Sequence, residues 1–344
     1  MTVVSASDRK QYKETLNRMG WSMLLFIGLF FLTTTLSELF QIYCVDRLAD
    51  SPAHDMLIVC GGVLSAVAYM VPFFLAGMFY YFLSRHTRTE RIDLEMRFPH
   101  EFPLLILAGL AIITAGGILN NAFCEMIGYT WSETLLPTES YNQPAVVIKY
   151  MTIALAPAFA EEFLFRGVFY SNLRPYGRTQ AILISSALFA LMHENIGQLF
   201  YTFVAGIAMA LMYELTGSIW CSVFYHLINN ELSVISEVIY YGGLGEAASP
   251  YLSLFDAIKM ALGLISIILL VRFYKYRAAT QDENRSEGIY RHTSIATARY
   301  DHVLDFKAVI KGMLTPGIIV FSVVTAVLMG ITWIAIIAIQ SGGV

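Results

Sequence analysis

The chain has 344 residues, of which 57% are hydrophobic and only 14% charged, with a formal net charge of -4 and a mean hydropathy of +0.60. A soluble domain carries about 25% charged residues, so the composition excludes an ordinary soluble core. The acidic balance, with a pI near 6.0, gives no basic patch for nucleic acid. Cys44, Cys60, Cys124 and Cys221 are scattered without a Cys-x-x-Cys pair, which argues against a zinc finger or a redox motif.

Apolar runs predict an all-α, polytopic transmembrane bundle of about eight full spans and one short helix. They fall at 19–44, 56–83, 102–123, 145–173, 180–193 (short), 197–215, 218–240, 253–275 and 314–340. Most reach the ~20 residues that cross a hydrocarbon core. The first run is too long for a signal-peptide core and reads as a membrane span. We divide the chain into N-terminal transmembrane helices at 1–144, a core at 145–240, and C-terminal helices at 241–344 with a cytoplasmic linker at 276–313.

Lys and Arg set the orientation. The N-terminal tail carries Arg9, Lys10, Lys13 and Arg18; loop 84–101 carries Arg85, Arg88, Arg91 and Arg97; the link after 173 carries Arg174 and Arg178. Segment 276–313 is also rich in basic residues, whereas loops 124–144 and 241–252 have none and 45–55 has only Arg47. The alternation places the chain in the cell membrane as a multi-pass protein, with a cytoplasmic N-terminus and an external C-terminus.

Three apolar segments carry residues that lipid rejects. In Ala156-Pro-Ala-Phe-Ala-Glu-Glu-Phe-Leu-Phe-Arg166, two carboxylates and a guanidinium sit inside a span, where each charge costs about 2.5–3.5 kcal/mol on insertion scales. Glu162 and Arg166 are four residues apart and can pair along one face. Glu161, rotated about 100° away, has no local cation. The second segment, Phe189-Ala-Leu-Met-His193, ends the short helix; the third, His226-Leu-Ile-Asn-Asn230, puts His226 and Asn230 on one face. Taken alone, a buried His or a His/Asn pair is more often a core or interhelical contact. At about 1.5 Å per residue, however, Glu161, His193 and Asn230 lie roughly 18–20 Å from the cytoplasmic boundary and His226 about 12 Å. The short helix is expected to turn back inside the bundle at Glu194-Asn-Ile-Gly197, which is tolerated only against protein or a wet cavity.

A Glu, two His and an Asn suit activation of water and stabilisation of an oxyanion. The same two imidazoles and carboxylate also suit a metal, although the spacing matches no compact zinc motif. The ordered set Glu161-Glu162-x-x-x-Arg166, Phe189-x-x-x-His193 and His226-x-x-x-Asn230, with Phe203-Val-Ala-Gly206 and Tyr213 through Trp220 between the last two, resembles the CPBP family. This family (CAAX proteases and bacteriocin-processing enzymes, also called Abi) is resembled over about residues 150–235.

The resemblance implies an intramembrane endopeptidase of the CAAX-prenyl-protease kind. Glu161 with His193 would activate water, His226 with Asn230 would stabilise the oxyanion, and Glu162 and Arg166 would be structural or orienting. It requires no cofactor in the glutamate-dependent version; a zinc ion on Glu161, His193 and His226 is the metallopeptidase version. The implied partner is a peptide or protein at the membrane, lipidated or a bacteriocin precursor. The rival readings are a non-catalytic scaffold or bacteriocin self-immunity protein, and a proton-coupled transporter, whose inverted repeats the sequence lacks.

Overall fold

The computed structural model describes residues 6–45, 54–87, 90, 92, 94–129, 146–148, 150–285 and 306–340. It is a helical membrane bundle, the form expected where a backbone has no water to satisfy its polar groups. Helix α1 spans Ala6–Phe40 and runs on into a π-helical turn at Gln41–Val45; α2 is His54–Leu83 and α3 is Phe102–Met126. A composite helix, α4, covers 150–173: it is π-helical at Tyr150–Leu155, α-helical at Ala156–Glu162, π-helical at Phe163–Tyr170 and α-helical at Ser171–Leu173. Then come α5 (Arg178–Met192), α6 (Leu199–Thr216), α7 (Ile219–Ile239), α8 (Ser249–Arg285), α9 (Phe306–Met313) and α10 (Pro316–Gln340).

Among the described residues, six helical stretches are long and apolar enough to cross a membrane: Ser7–Cys44, Met56–Leu83, Phe102–Met126, Ile196–Thr216, Gly245–Tyr276 and Pro316–Ala338. The expected spans at 145–173 and 218–240 are present as α4 and α7 but are not in that group. They are the helices that carry Glu161, Glu162, Arg166, Ser222, His226 and Asn230, whose polarity lowers their hydropathy. The bundle's outer faces carry exposed Met78, Leu119, Leu262, Ile268 and Val327, apolar side chains suited to lipid.

The expected linker at 276–313 is helical at both ends, as α8 runs to Arg285 and α9 occupies Phe306–Met313. Its middle, with Arg291 and Arg299, lies outside the described residues, as do Arg47, Arg88 and Arg91. One end of the bundle gathers the described basic segments. Arg18 of α1 donates to Thr87 after α2 (2.7 Å), and the Tyr12 ring packs at a tilt on Tyr176 after α4, with centroids 5.2 Å apart. Asn17 accepts from the Gly317 amide (2.8 Å), which brings the start of α10 to the same end.

Helices α5 and α6 form a hairpin that leaves this end and returns to it. Arg174, just before α5, binds Glu214 near the end of α6 through Nε and Nη2 at 2.6 and 2.9 Å. The turn between the helices is half-buried, with Gly197 fully buried. Glu194 takes a left-handed φ of +50° there, and the Asn195 side chain accepts from the Gly197 amide (2.8 Å). The α3 side chain of Asn120 donates to the Gly197 carbonyl (2.6 Å) and accepts from the Tyr201 amide (3.1 Å). Thr332 of α10 donates to the Glu194 carbonyl at 3.3 Å. This is the reversal expected from the length of the short helix, held against α3 and α10.

Candidate active site

Glu162 is the centre of the polar core. It is 0% exposed, and Arg166, one turn on, is 1% exposed. The Arg166 Nη1 donates to Glu162 Oε1 at 2.8 Å, so the spacing of four residues does produce the pair. The other arm, Nη2, donates to the Gly206 carbonyl of α6 (2.9 Å), and the guanidinium lies 4.8 Å from the centre of the Phe189 ring. A Cβ at Gly206 would stand 2.9 Å from Ser186, so glycine permits the close approach of α5 and α6. Glu162 also accepts from Ser222 Oγ through Oε2 and from His226 Nδ1 (2.9 Å) through Oε1. It thus ties α4 to α7 and fixes the ring of His226.

Glu161 is 2% exposed and has a different environment. The Tyr69 hydroxyl of α2 donates to its Oε1. Its Oε2 is buried, has no hydrogen-bond partner, and lies 3.8 Å from His226 Nε2. That separation is too long for a hydrogen bond.

His193 caps the end of α5, where its Nδ1 contacts the Phe189 carbonyl at 2.8 Å. A carbonyl only accepts, so Nδ1 carries the proton and Nε2 of the neutral ring is an acceptor. The same argument at His226 puts a proton on Nδ1 facing Glu162. The Asn230 Nδ2 donates to the Ile153 carbonyl (3.1 Å), and its Oδ1 accepts from Asn229 (3.2 Å).

Glu161, His193, His226 and Asn230 line one cavity of about 660 Å³, together with Tyr69. Glu162 and Arg166 lie behind it in the protein. Three side chains important to the geometry were not singled out from the sequence. Tyr69 is one of 20 tyrosines in an apolar chain and carries no local signal. Ser222 sits one turn before His226, on the same face, and that spacing could have marked it. Asn120, a polar residue within an apolar span, could have been marked by the rule that flagged Glu161.

Among the described residues, no three His, Cys, Asp or Glu side chains converge closely enough to hold a metal ion. The donor set Glu161, His193 and His226 therefore does not converge on an ion in this geometry.

Residues 143–232 match the family described as type II CAAX prenyl endopeptidase Rce1-like. A Bacillus subtilis (strain 168) protein named "Putative membrane peptidase YdiL" is 30% identical over 97 residues, which cover 27% of this chain and 39% of that protein. No solved structure gives a significant match. All six motif residues, from Glu161 to Asn230, fall within the matched stretch, so that region of the chain is similar to the Rce1-like family of CAAX prenyl endopeptidases.

Proposed function

We propose that the chain is an intramembrane endopeptidase that hydrolyses a peptide bond of a membrane-associated peptide or protein, in the manner of a CAAX prenyl protease. The observation that carries this reading is the bare Oε2 of Glu161, buried on the cavity wall opposite His226 Nε2. An unpartnered buried oxygen costs about 1–3 kcal/mol. It is explained if that oxygen takes a proton from water during the reaction.

In this mechanism, water sits between Glu161 Oε2 and the acceptor Nε2 of His193. Glu161 removes a proton as the water attacks the scissile carbonyl. The oxyanion receives hydrogen bonds from His226 and Asn230. His226 donates from Nε2 as the imidazolium, with its Nδ1 held by Glu162. Glu162 and Arg166 act by orienting His226 and neutralising each other. The proton held by Glu161 then passes to the leaving amine. The basic end of the bundle faces the cytoplasm in this reading, with the C-terminus outside.

The test is a comparison of membrane peptides from cells expressing the wild type or Glu161→Gln. A peptide or protein that stays uncleaved only with the variant identifies the substrate. Lipidated CaaX proteins and bacteriocin precursors are the first classes to examine. Equal cleavage of every peptide by the two proteins would defeat the reading and favour a scaffold, an immunity protein or a transporter. Chelation should leave cleavage intact; loss that zinc restores would replace the glutamate mechanism with a metal one.

A further inference from the structure

A second cavity, of about 670 Å³, lies against the first between α3, α7 and α8. Gly117, Asn121, Tyr201, Asn229 and Ser233 line both. Its remaining wall includes Thr114, Ser236, Ser253, Asp256 and Lys259, half-buried or exposed polar groups among otherwise apolar helix faces. Thr114, Ser233 and Ser236 each donate to a backbone carbonyl four residues back, at 2.9, 3.2 and 2.8 Å. Each hydroxyl oxygen is thereby oriented as an acceptor.

Asp256 and Lys259 form an ion pair at 2.6 Å within the apolar stretch Gly245–Tyr276. Ionisable groups at such a place face protein or water. The Asp256 side chain is 55% exposed, so it needs hydration rather than hydrocarbon.

The residues that line both cavities mark their boundary. Asn229 Nδ2 donates to the Tyr201 hydroxyl (3.2 Å) and to Asn230 Oδ1 (3.2 Å), which links the boundary to the proposed oxyanion site. Gly117 lies beside it. A Cβ there would meet only the Tyr201 ring, at 3.9 Å, so the absence of a side chain leaves open space.

We propose that the two cavities form one hydrated passage, with Gly117, Tyr201 and Asn229 at its neck, and that the chamber beside Asp256 and Lys259 supplies the water consumed at Glu161. The hydration stands on the polar walls alone, whereas the delivery to Glu161 rests on the protease reading. Hydrolysis consumes one water for each bond broken, and an extended peptide lying in the catalytic cavity blocks its own mouth. A side chamber lets water arrive while substrate is bound.

The test has two arms. Ser236→Cys, Ser253→Cys and Leu262→Cys are introduced singly into Cys44→Ser/Cys60→Ser protein in lipid vesicles. They are treated with a small charged methanethiosulfonate, which reacts with thiolate in water. The chamber cysteines should react at least tenfold faster than the lipid-facing Leu262→Cys, after subtraction of the parent protein's labelling. Equal rates would overturn the proposal.

The second arm is Gly117→Leu, which plugs the neck from a helix that tolerates leucine. It should lower kcat five- to tenfold and leave KM unchanged. Unaltered kcat in Gly117→Leu, with Glu161→Gln inactive, would mean that water arrives by another route and would overturn delivery through this chamber. If Glu161→Gln is itself fully active, the protease reading fails and delivery to Glu161 fails with it; the labelling still decides whether the chamber holds water.

Discussion

Two carboxylates, Glu214 on α6 and Glu161 on α4, show how the same group serves different ends. Glu214 accepts from Arg174 at 2.6 and 2.9 Å, pairs with Arg178 Nε at 3.0 Å and accepts from the Tyr170 hydroxyl. Both of its oxygens are occupied, and the result is a clamp that closes the α5–α6 hairpin. Glu161 has one neutral donor and one oxygen with none. Glu214 is saturated by its neighbours, whereas Glu161 has one oxygen without a partner, as the proposed general base requires. Glu162 sits beside Glu161 in sequence but belongs with Glu214: Arg166, Ser222 and His226 occupy its oxygens.

The strongest way to break this contrast is Glu161→Gln. Loss of a general base costs about 10²–10⁴-fold, so cleavage of the trapped substrate should fall by that factor while the melting temperature in detergent stays within a few degrees of wild type. A full loss of fold would make Glu161 a structural residue like Glu214.

Next is Arg166→Met, which leaves the Glu162 charge buried without its cation. Breaking a buried pair costs about 3–5 kcal/mol, and denaturation in mixed micelles should show it. A stability within 1 kcal/mol of wild type (about fivefold in the folding equilibrium) would show that Glu162 is held without Arg166. Tyr69→Phe removes the hydrogen bond that holds Glu161 Oε1. A bond to a charged group contributes about 1.5–3 kcal/mol, of which the part lost in turnover should appear as a roughly 5–20-fold lower kcat with an altered pH profile. An unchanged profile would give Tyr69 a packing role only.

The smallest effect is expected for Glu214→Gln. It should lower stability by about 1–2 kcal/mol, since the Arg178 partner is half exposed and screened. Cleavage should remain within about twofold of wild type. A larger loss of cleavage would extend the functional site to the base of the hairpin.

Much of this organisation was legible in the sequence because lipid makes charge conspicuous. Glu161, Glu162, Arg166, His193, His226 and Asn230 stood out against apolar neighbours, and the four-residue spacing of Glu162 and Arg166 led directly to the observed pair. The reversal after His193 followed from a helix too short to cross. Tyr69 was not legible, because its hydroxyl matters only once α2 packs on α4 and no local pattern marks the contact. The link from Glu162 to His226 was equally hidden, since it joins residues 64 positions apart.

The sequence by itself determined that the chain is a helical membrane protein and which side chains are too polar for its apolar spans, because transfer energies and helical periodicity are local properties. Spacing already pointed to Glu162 as the paired carboxylate; only the tertiary structure decided which further partners it binds and which oxygen of Glu161 has none. That outcome depends on partners brought from α2 and α7 and on the cavity between them, and such distances are set by packing rather than by spacing along the chain.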